Sequence, residues 1–285
     1  MRHWFTTESE LPRFCVVGSP VSHSRSPFIH AAFGAQFDIE LLYEKVEVRP
    51  GELAAAVEEF IAVGGRGMNV TVPLKEEAFS LAVATAPRAA RAGAANTLWF
   101  EADGVHADNT DGVGLVRDLT ANHHIPLHDR RVLLLGAGGA SRGVLPALLE
   151  ARPACVLISN RSGERALALA ETWQAAGAPV EVLPWGAAGA ACDVVVNGTA
   201  ASLAGQLPLV DVSLLGPHTV CYDMMYAATP TAFMTWAAAN GAARVLDGLG
   251  MLVEQAAEAF SRWHAREPRT AIVIAELRRR LAAGL

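Results

Sequence analysis

The chain has 285 residues, 52% of them hydrophobic and 18% charged, with 23 Lys and Arg against 29 Asp and Glu for a net charge of −6. So apolar a composition excludes a disordered or collagen-like chain, and the acidic balance excludes a bulk basic field for nucleic acid or anionic lipid. Any phosphate it binds must be gripped locally, and the length suits about two domains with cores that need no disulfide or metal staple.

Taken in chain order, short β-rich runs alternate with longer Ala-rich segments, the pattern of parallel sheets with crossover helices. In the first block, Phe14–Gly18, Leu41–Val48 and Met68–Val72 read as strands, and Ser26–Phe37, Gly51–Val63 and Lys75–Ala84 as helices. Thr97–Phe100 and Val105–Ala107 flank Asp103-Gly104 as a hairpin. A helix over Gly112–His124 opens the second block, where strands are expected at Val132–Leu135, Cys155–Ser159, Val180–Leu183, Asp193–Val196, Val220–Tyr222 and Arg244–Leu246. Six strands with intervening helices is the count of a doubly wound dinucleotide fold. Two last helices, Met251–His264 and Arg269–Ala283, are expected to pack back on the first block.

Cys15, Cys155, Cys192 and Cys221 are widely spaced in or beside apolar runs, without a CxxC pair, and read as buried thiols in a reducing compartment. His123, His124 and His128 with Asp129 read as a solvated linker rather than a metal site, and no metal is expected elsewhere. Residues 1–10 lack the apolar core of a secretory signal, and no run reaches the roughly 18 apolar residues of a membrane span, so a cytoplasmic location is expected.

Arg130 to Gly143 reads as a buried strand, a glycine-rich turn and a helix start. Gly136 permits a tight turn and Gly138 lets backbone N–H groups approach a pyrophosphate at the positive end of a helix, although a sharp strand-to-helix turn also wants glycine. Ser141 stands at the third fingerprint position. The next strand ends in Asn160-Arg161-Ser162, where NAD-binding folds place a carboxylate against the ribose. A guanidinium and a hydroxyl there suit a 2′-phosphate, so the expected cofactor is NADP, the alternative being a solvated Arg.

Three polar clusters interrupt the first block. The run from Ser19 to Pro27, between strand and helix, suits either an anion or simple helix capping. Asn69 and Thr71 share a strand face, and Lys75 falls at a helix start, where the helix dipole disfavours a cation. Asn96-Thr97 and Asp108 to Gly112 bracket the hairpin.

With SPVSHSRSP, NVTVPLK, GAANT, NTDG, GAGGA, NRS, YDMMY and DGLGMLVEQ in order from residue 19 to 255, the chain closely resembles the shikimate dehydrogenase family over nearly its whole length. The resemblance implies an α/β substrate domain (1–111), a doubly wound Rossmann NADP domain (112–246) and C-terminal helices (247–285) returning to the substrate domain. It implies reversible NADPH-dependent reduction of 3-dehydroshikimate to shikimate, a step towards aromatic amino acids. Ser22 and Ser24 would bind the substrate carboxylate, with Tyr226 or Tyr222 closing that end. Asn69, Thr71, Lys75, Asn96, Asp111 and Gln255 would ring the polyol. Gly136, Gly138, Gly139 and Ala140 would take the pyrophosphate, Asn160, Arg161 and Ser162 the 2′-phosphate, and Met224 and Gly248 would lie near the nicotinamide.

Carbonyl reduction needs an acid within hydrogen-bond reach of the developing alkoxide; Lys75, which matches the family's catalytic lysine, can be that acid, and Asp111 would orient its ammonium. The turn Asn197-Gly198-Thr199-Ala200-Ala201-Ser202 departs from the family's Asn-x-Thr-Ser pattern and is assigned no contact. The only expected partners are small molecules, with no nucleic acid or membrane, and the enzyme is expected as a monomer or homodimer. Rival readings are an NAD-using quinate/shikimate dehydrogenase, a non-catalytic dinucleotide sensor and a bifunctional folate-type dehydrogenase. Arg161 and the serine pair count against the first, the Lys75/Asp111 pair against the second and the Ser22/Ser24 loop against the third.

Overall fold

The computed structural model describes residues 3–5, 9–201 and 205–284. The chain divides into two compact units, residues 1–114 with 253–273 and residues 115–252 with 274–285.

The first unit runs β1 (Arg13–Gly18), α1 (Ser26–Gly34), β2 (Leu42–Glu47), α2 (Leu53–Ala62), β3 (Gly65–Val70), α3 (Lys75–Leu81), β4 (Ala84–Thr85), α4 (Pro87–Ala92), β5 (Thr97–Glu101) and β6 (Gly104–Asp108). Its sheet has the order β2-β1-β3-β5-β6-β4. β1 lies parallel to both neighbours, whereas β5 pairs antiparallel with β3 and β6. β1 is buried at every position, so its alternate side chains feed two cores. Cys15 and Val17 join Leu53 and Phe60 of α2 and Leu74, while Phe14 and Val16 join Tyr43 and Trp263.

The sequence pattern missed β4 and α4 and overran α3. The Val83 N–H bonds to the Val105 carbonyl at 2.8 Å, so β6 captures backbone that a longer α3 would need, and a two-residue strand carries no readable period. Thr71 falls just past β3 instead of within a strand, its N–H held by the Val17 carbonyl at 2.9 Å.

His30 on α1 is 1% exposed and stacks 4.4 Å over Tyr43. Burial pushes its imidazole down from 6.5 to about 3. The unfolded chain therefore takes up a proton that the folded chain refuses, and this contribution to stability, complete above pH 6.5, is lost as the pH falls towards 3. We expect His30 alone to remove about 2 kcal/mol between pH 7 and pH 5. Denaturant unfolding of the wild type and His30→Leu at both pH values checks this, and equal pH dependence in the two would refute it.

The segment expected as one helix over Gly112–His124 is α5 (Asp111–Arg117) followed by a π-helical turn, Asp118–Asn122. In that turn Asp118 is 1% exposed, and its carboxylate accepts the Tyr222 hydroxyl at 2.7 Å.

The second unit continues with β7 (Arg131–Leu135), α6 (Gly139–Glu150), β8 (Cys155–Ser159), α7 (Gly163–Gln174), β9 (Val180–Val182), β10 (Cys192–Asn197), β11 (Leu215–Asp223), α8 (Ala232–Ala239) and β12 (Arg244–Asp247). The strands are all parallel in the order β12-β11-β10-β7-β8-β9, the doubly wound dinucleotide arrangement counted from β7. Both faces are covered, Val132 and Leu134 packing with residues of α6 and α7, Leu133 and Leu135 with Phe233 and Ala237 of α8.

Two last helices, α9 (Leu249–His264) and α10 (Thr270–Ala282), are each divided between the units. Residues 274–285 belong to the second unit, which departs from the expectation that all of 247–285 returns to the first. Arg278 of α10 supplies a physical reason, since its guanidinium grips both carboxylate oxygens of Asp247 at the end of β12. Among the described residues no helix is long and apolar enough to cross a membrane.

Candidate active site

Lys75 opens α3 without a side-chain cap, where its charge opposes the helix dipole. Its ammonium instead pairs with Asp111, Nζ to Oδ2 at 2.5 Å, with the two side chains 13% and 7% exposed. Asp111 is the first residue of α5, where a carboxylate is favoured, and its N–H donates to Asn109 Oδ1 at 3.1 Å. Its other oxygen accepts Asn96 Nδ2 at 2.9 Å, so the carboxylate has little freedom to turn away from Lys75.

Asn96 in turn accepts the Thr110 N–H at 2.9 Å and donates to Gln255 Oε1 at 3.2 Å. The first unit thus assembles Lys75, Asn96, Asp111 and Gln255 from segments far apart in sequence. Asn69 is 6% exposed, and its amide is spent on this frame: Oδ1 accepts the Tyr43 hydroxyl at 2.6 Å, and Nδ2 donates to the Asn96 carbonyl and Thr97 Oγ1, each at 3.2 Å. Thr71 lies where β1 passes closest to the turn after β3; a Cβ on Gly18 would fall 2.4 Å from Thr71 Cγ2, so only glycine allows the approach.

Ser22 and Ser24 occupy the turn from β1 to α1. Ser24 Oγ donates to Ser26 Oγ at 3.2 Å and accepts the Ser26 N–H at 3.3 Å, which is local helix-start chemistry, while Ser22 is exposed.

Sequence reasoning placed Asp108 in a polar cluster without giving it a role, and passed over its partner Arg88. Asp108, 1% exposed, receives Arg88 at 2.7 Å through both carboxylate oxygens and accepts the Asn109 N–H at 2.7 Å, which fixes the turn leading to Asp111. The readable signal was an aspartate following Ala107 at the buried end of β6.

In the second unit, β7 ends at Gly136, whose φ of +106° and N–H bond to the Ser159 carbonyl at 2.8 Å fold the chain sharply into α6. A Cβ at Gly138 or Gly139 would meet nothing within 4 Å. The start of this twelve-residue helix therefore presents backbone N–H groups to open space, beside Ala140 in its first turn. Ser141 is fully buried, with its hydroxyl close to Gly136 and Gly198, so the third fingerprint position packs two turns together.

At the end of β8, Asn160 Nδ2 donates to the Ser162 carbonyl at 2.9 Å, holding a turn on which Arg161 and Ser162 are exposed. Arg165, in the first turn of α7, is exposed as well, a second cation that the sequence reading did not single out. An open helix start, two exposed guanidinia and a hydroxyl form a donor set that fits a pyrophosphate and a 2′-phosphate, so these residues fit NADP.

A Cβ on Gly248 would lie 2.2 Å from the Met224 carbonyl oxygen, so glycine there is what lets the two backbones meet. Asp223, fully buried and also missed from sequence, pins the Met224 loop by accepting Asn197 Nδ2 at 3.2 Å, the Met225 N–H at 3.1 Å and the Thr231 hydroxyl at 2.6 Å. Tyr226 is half-buried in that loop. Tyr222, named with it as closing the carboxylate end, is corrected: it is fully buried with its hydroxyl on Asp118, and cannot reach a ligand. Ser202 of the departing turn lies outside the described residues.

A doubly wound dinucleotide unit, joined in one chain to an α/β unit that holds a lysine–aspartate pair among amides, defines a pyridine-nucleotide-dependent oxidoreductase. Family models match as shikimate dehydrogenase substrate binding domain over residues 16–98, shikimate/quinate 5-dehydrogenase over 118–205 and shikimate 5′-dehydrogenase C-terminal domain over 248–278. The chain is 51% identical over 266 residues to the shikimate dehydrogenase (NADP+) of Alkalilimnicola ehrlichii, across 93% of this chain and 98% of that one. It is 50% identical over 276 residues to that of Dechloromonas aromatica, across 95% and 98%. Among solved structures, the shikimate 5-dehydrogenase of Thermus thermophilus in complex with NADP(H) and shikimate is similar with a TM-score of 0.85 and 34% identity, covering 95% of this chain and all of that one. The chain belongs to the shikimate dehydrogenase family.

Proposed function

We propose that this chain is an NADP-dependent shikimate dehydrogenase, reducing 3-dehydroshikimate to shikimate and running the reverse oxidation in aromatic amino acid biosynthesis. The observation that carries the reading is the Lys75–Asp111 pair, 2.5 Å apart and held by Asn96. When bound, NADPH supplies the hydride for the carbonyl carbon. Lys75 Nζ donates a hydrogen bond to the carbonyl oxygen and gives up its proton as negative charge develops there; in the oxidation it receives the hydroxyl proton. Asp111, fixed at both oxygens, keeps that ammonium aimed and compensates its charge.

Asn96, Gln255 and Thr71 supply hydrogen bonds to the ring hydroxyls, with Asn69 supporting them. Ser22 and Ser24 take the carboxylate, with Tyr226 at the same end. Gly136, Gly138, Gly139 and Ala140 hold the pyrophosphate, Asn160, Arg161 and Ser162 the 2′-phosphate, and Met224 and Gly248 border the nicotinamide. Residues 1–111 with part of the C-terminal helices act as the substrate domain. A cytoplasmic monomer or homodimer fits the four free thiols, Cys15, Cys155, Cys192 and Cys221.

A steady-state assay of shikimate and quinate, each with NADP and NAD, tests the reading. The expected result is turnover chiefly of shikimate with NADP; preference for quinate with NAD would favour the rival dehydrogenase, and no turnover in any arm would favour the dinucleotide sensor.

A further inference from the structure

Lys45 stands on β2 at one end of a cross-strand row. It pairs with Val16, Val16 with Asn69, Asn69 with Thr97 and Thr97 with Asp108, so these side chains share the sheet face that carries the polar frame of the site. Its ammonium donates to the Ser22 carbonyl at 2.5 Å. The other charges on this strand are engaged elsewhere: Glu44 pairs with Arg13 at 2.8 Å, and Glu47 accepts the Ser19 hydroxyl at 3.2 Å.

Among the described residues no carboxylate lies within 4.0 Å of Lys45 Nζ. A cation tied to the backbone of an anion-binding turn, yet lacking a carboxylate of its own, leaves positive potential at that turn for an incoming anion. We propose that Lys45 is a specificity-determining residue, which makes the Ser22/Ser24 end of the site select a carboxylate over a neutral substituent. The inference rests on the shikimate dehydrogenase reading and on the two serines as the carboxylate end.

Serine hydroxyls alone distinguish the two poorly, since they hydrogen-bond an ester or amide oxygen as well as a carboxylate. An ammonium adds a term felt only by the anion. Because Lys45 is exposed, that term is moderate and screened by salt.

The test is steady-state kinetics with shikimate and with its uncharged methyl ester, for the wild type, Lys45→Met and Lys45→Arg, at low salt and at 1 M salt. Lys45→Met is expected to raise the KM for shikimate about two- to fivefold at low salt, with kcat unchanged within error. The ester's KM should not move, high salt should remove most of the difference, and Lys45→Arg should restore the wild-type KM. A KM that rises equally for acid and ester would mean that Lys45 only shapes the turn, and an unchanged KM for both would mean that it does nothing; either overturns the proposal. A wild type that fails to turn over shikimate with NADP would instead overturn the underlying reading, before any variant is compared.

Discussion

Lys75→Ala is expected to lower kcat by about 100-fold or more, the low end of general acid catalysis. The shikimate KM should move much less, because other polar groups share the polyol. Removing Nζ deletes the ammonium that pairs with Asp111 but leaves that carboxylate satisfied by Asn96 Nδ2 at 2.9 Å and by its place at the head of α5, so the fold should survive. Unfolding midpoints of the variant and the wild type verify that the kinetics are read on folded protein.

Asp111→Asn should also cut kcat while preserving substrate binding, since a neutral amide keeps the shape but cannot compensate the ammonium it orients. NADP affinity should be untouched in both variants, because the pair belongs to the first unit and the dinucleotide turns to the second. The decisive measurements are kcat, KM and cofactor Kd, and a Lys75→Ala enzyme with near-normal kcat would falsify the assignment of the acid.

Arg161→Ala is expected to weaken NADP binding by about 1.5–3 kcal/mol, the scale of a hydrogen bond to a charged group, or roughly 10- to 150-fold. NAD, lacking the 2′-phosphate, should bind almost as before. Arg161 is exposed on a turn braced by the Asn160–Ser162 hydrogen bond of 2.9 Å, so its loss removes a charge without disturbing the strand beneath. Arg165 four residues on retains part of the positive potential, which places the single variant towards the lower end of that range and makes the double variant Arg161→Ala/Arg165→Ala the more severe. Titration of each variant with NADP and NAD separates the outcomes: equal losses for both cofactors would show that Arg161 supports the turn rather than reading the phosphate.

Much of this was written in local sequence. The apolar runs at Val132–Leu135 and Cys155–Ser159 declare buried parallel strands because both their faces are covered, and Gly136 after Leu135 marks a turn that a larger residue would make only under strain. Lys75 was legible for a different reason, since a cation at a helix start is unfavourable unless a carboxylate answers it. The ordered motifs supplied the residue roles that such arguments leave open.

What only tertiary structure decided are pairings between distant segments. Tyr222 and Tyr226 look alike in sequence, yet Tyr222 lies in the buried end of β11 with its hydroxyl on Asp118, whereas Tyr226 lies beyond the strand. The end of α3 was set by β6 drawing off its backbone, and the split of the last helices between units is tied to Arg278 meeting Asp247. Likewise Asn69 was expected among the substrate ligands, and the fold surrounds it with Tyr43, Asn96 and Thr97 as a brace. Local patterns report what a residue's own backbone and burial require, whereas a side-chain hydrogen bond depends on where a second segment, tens of residues away, is packed.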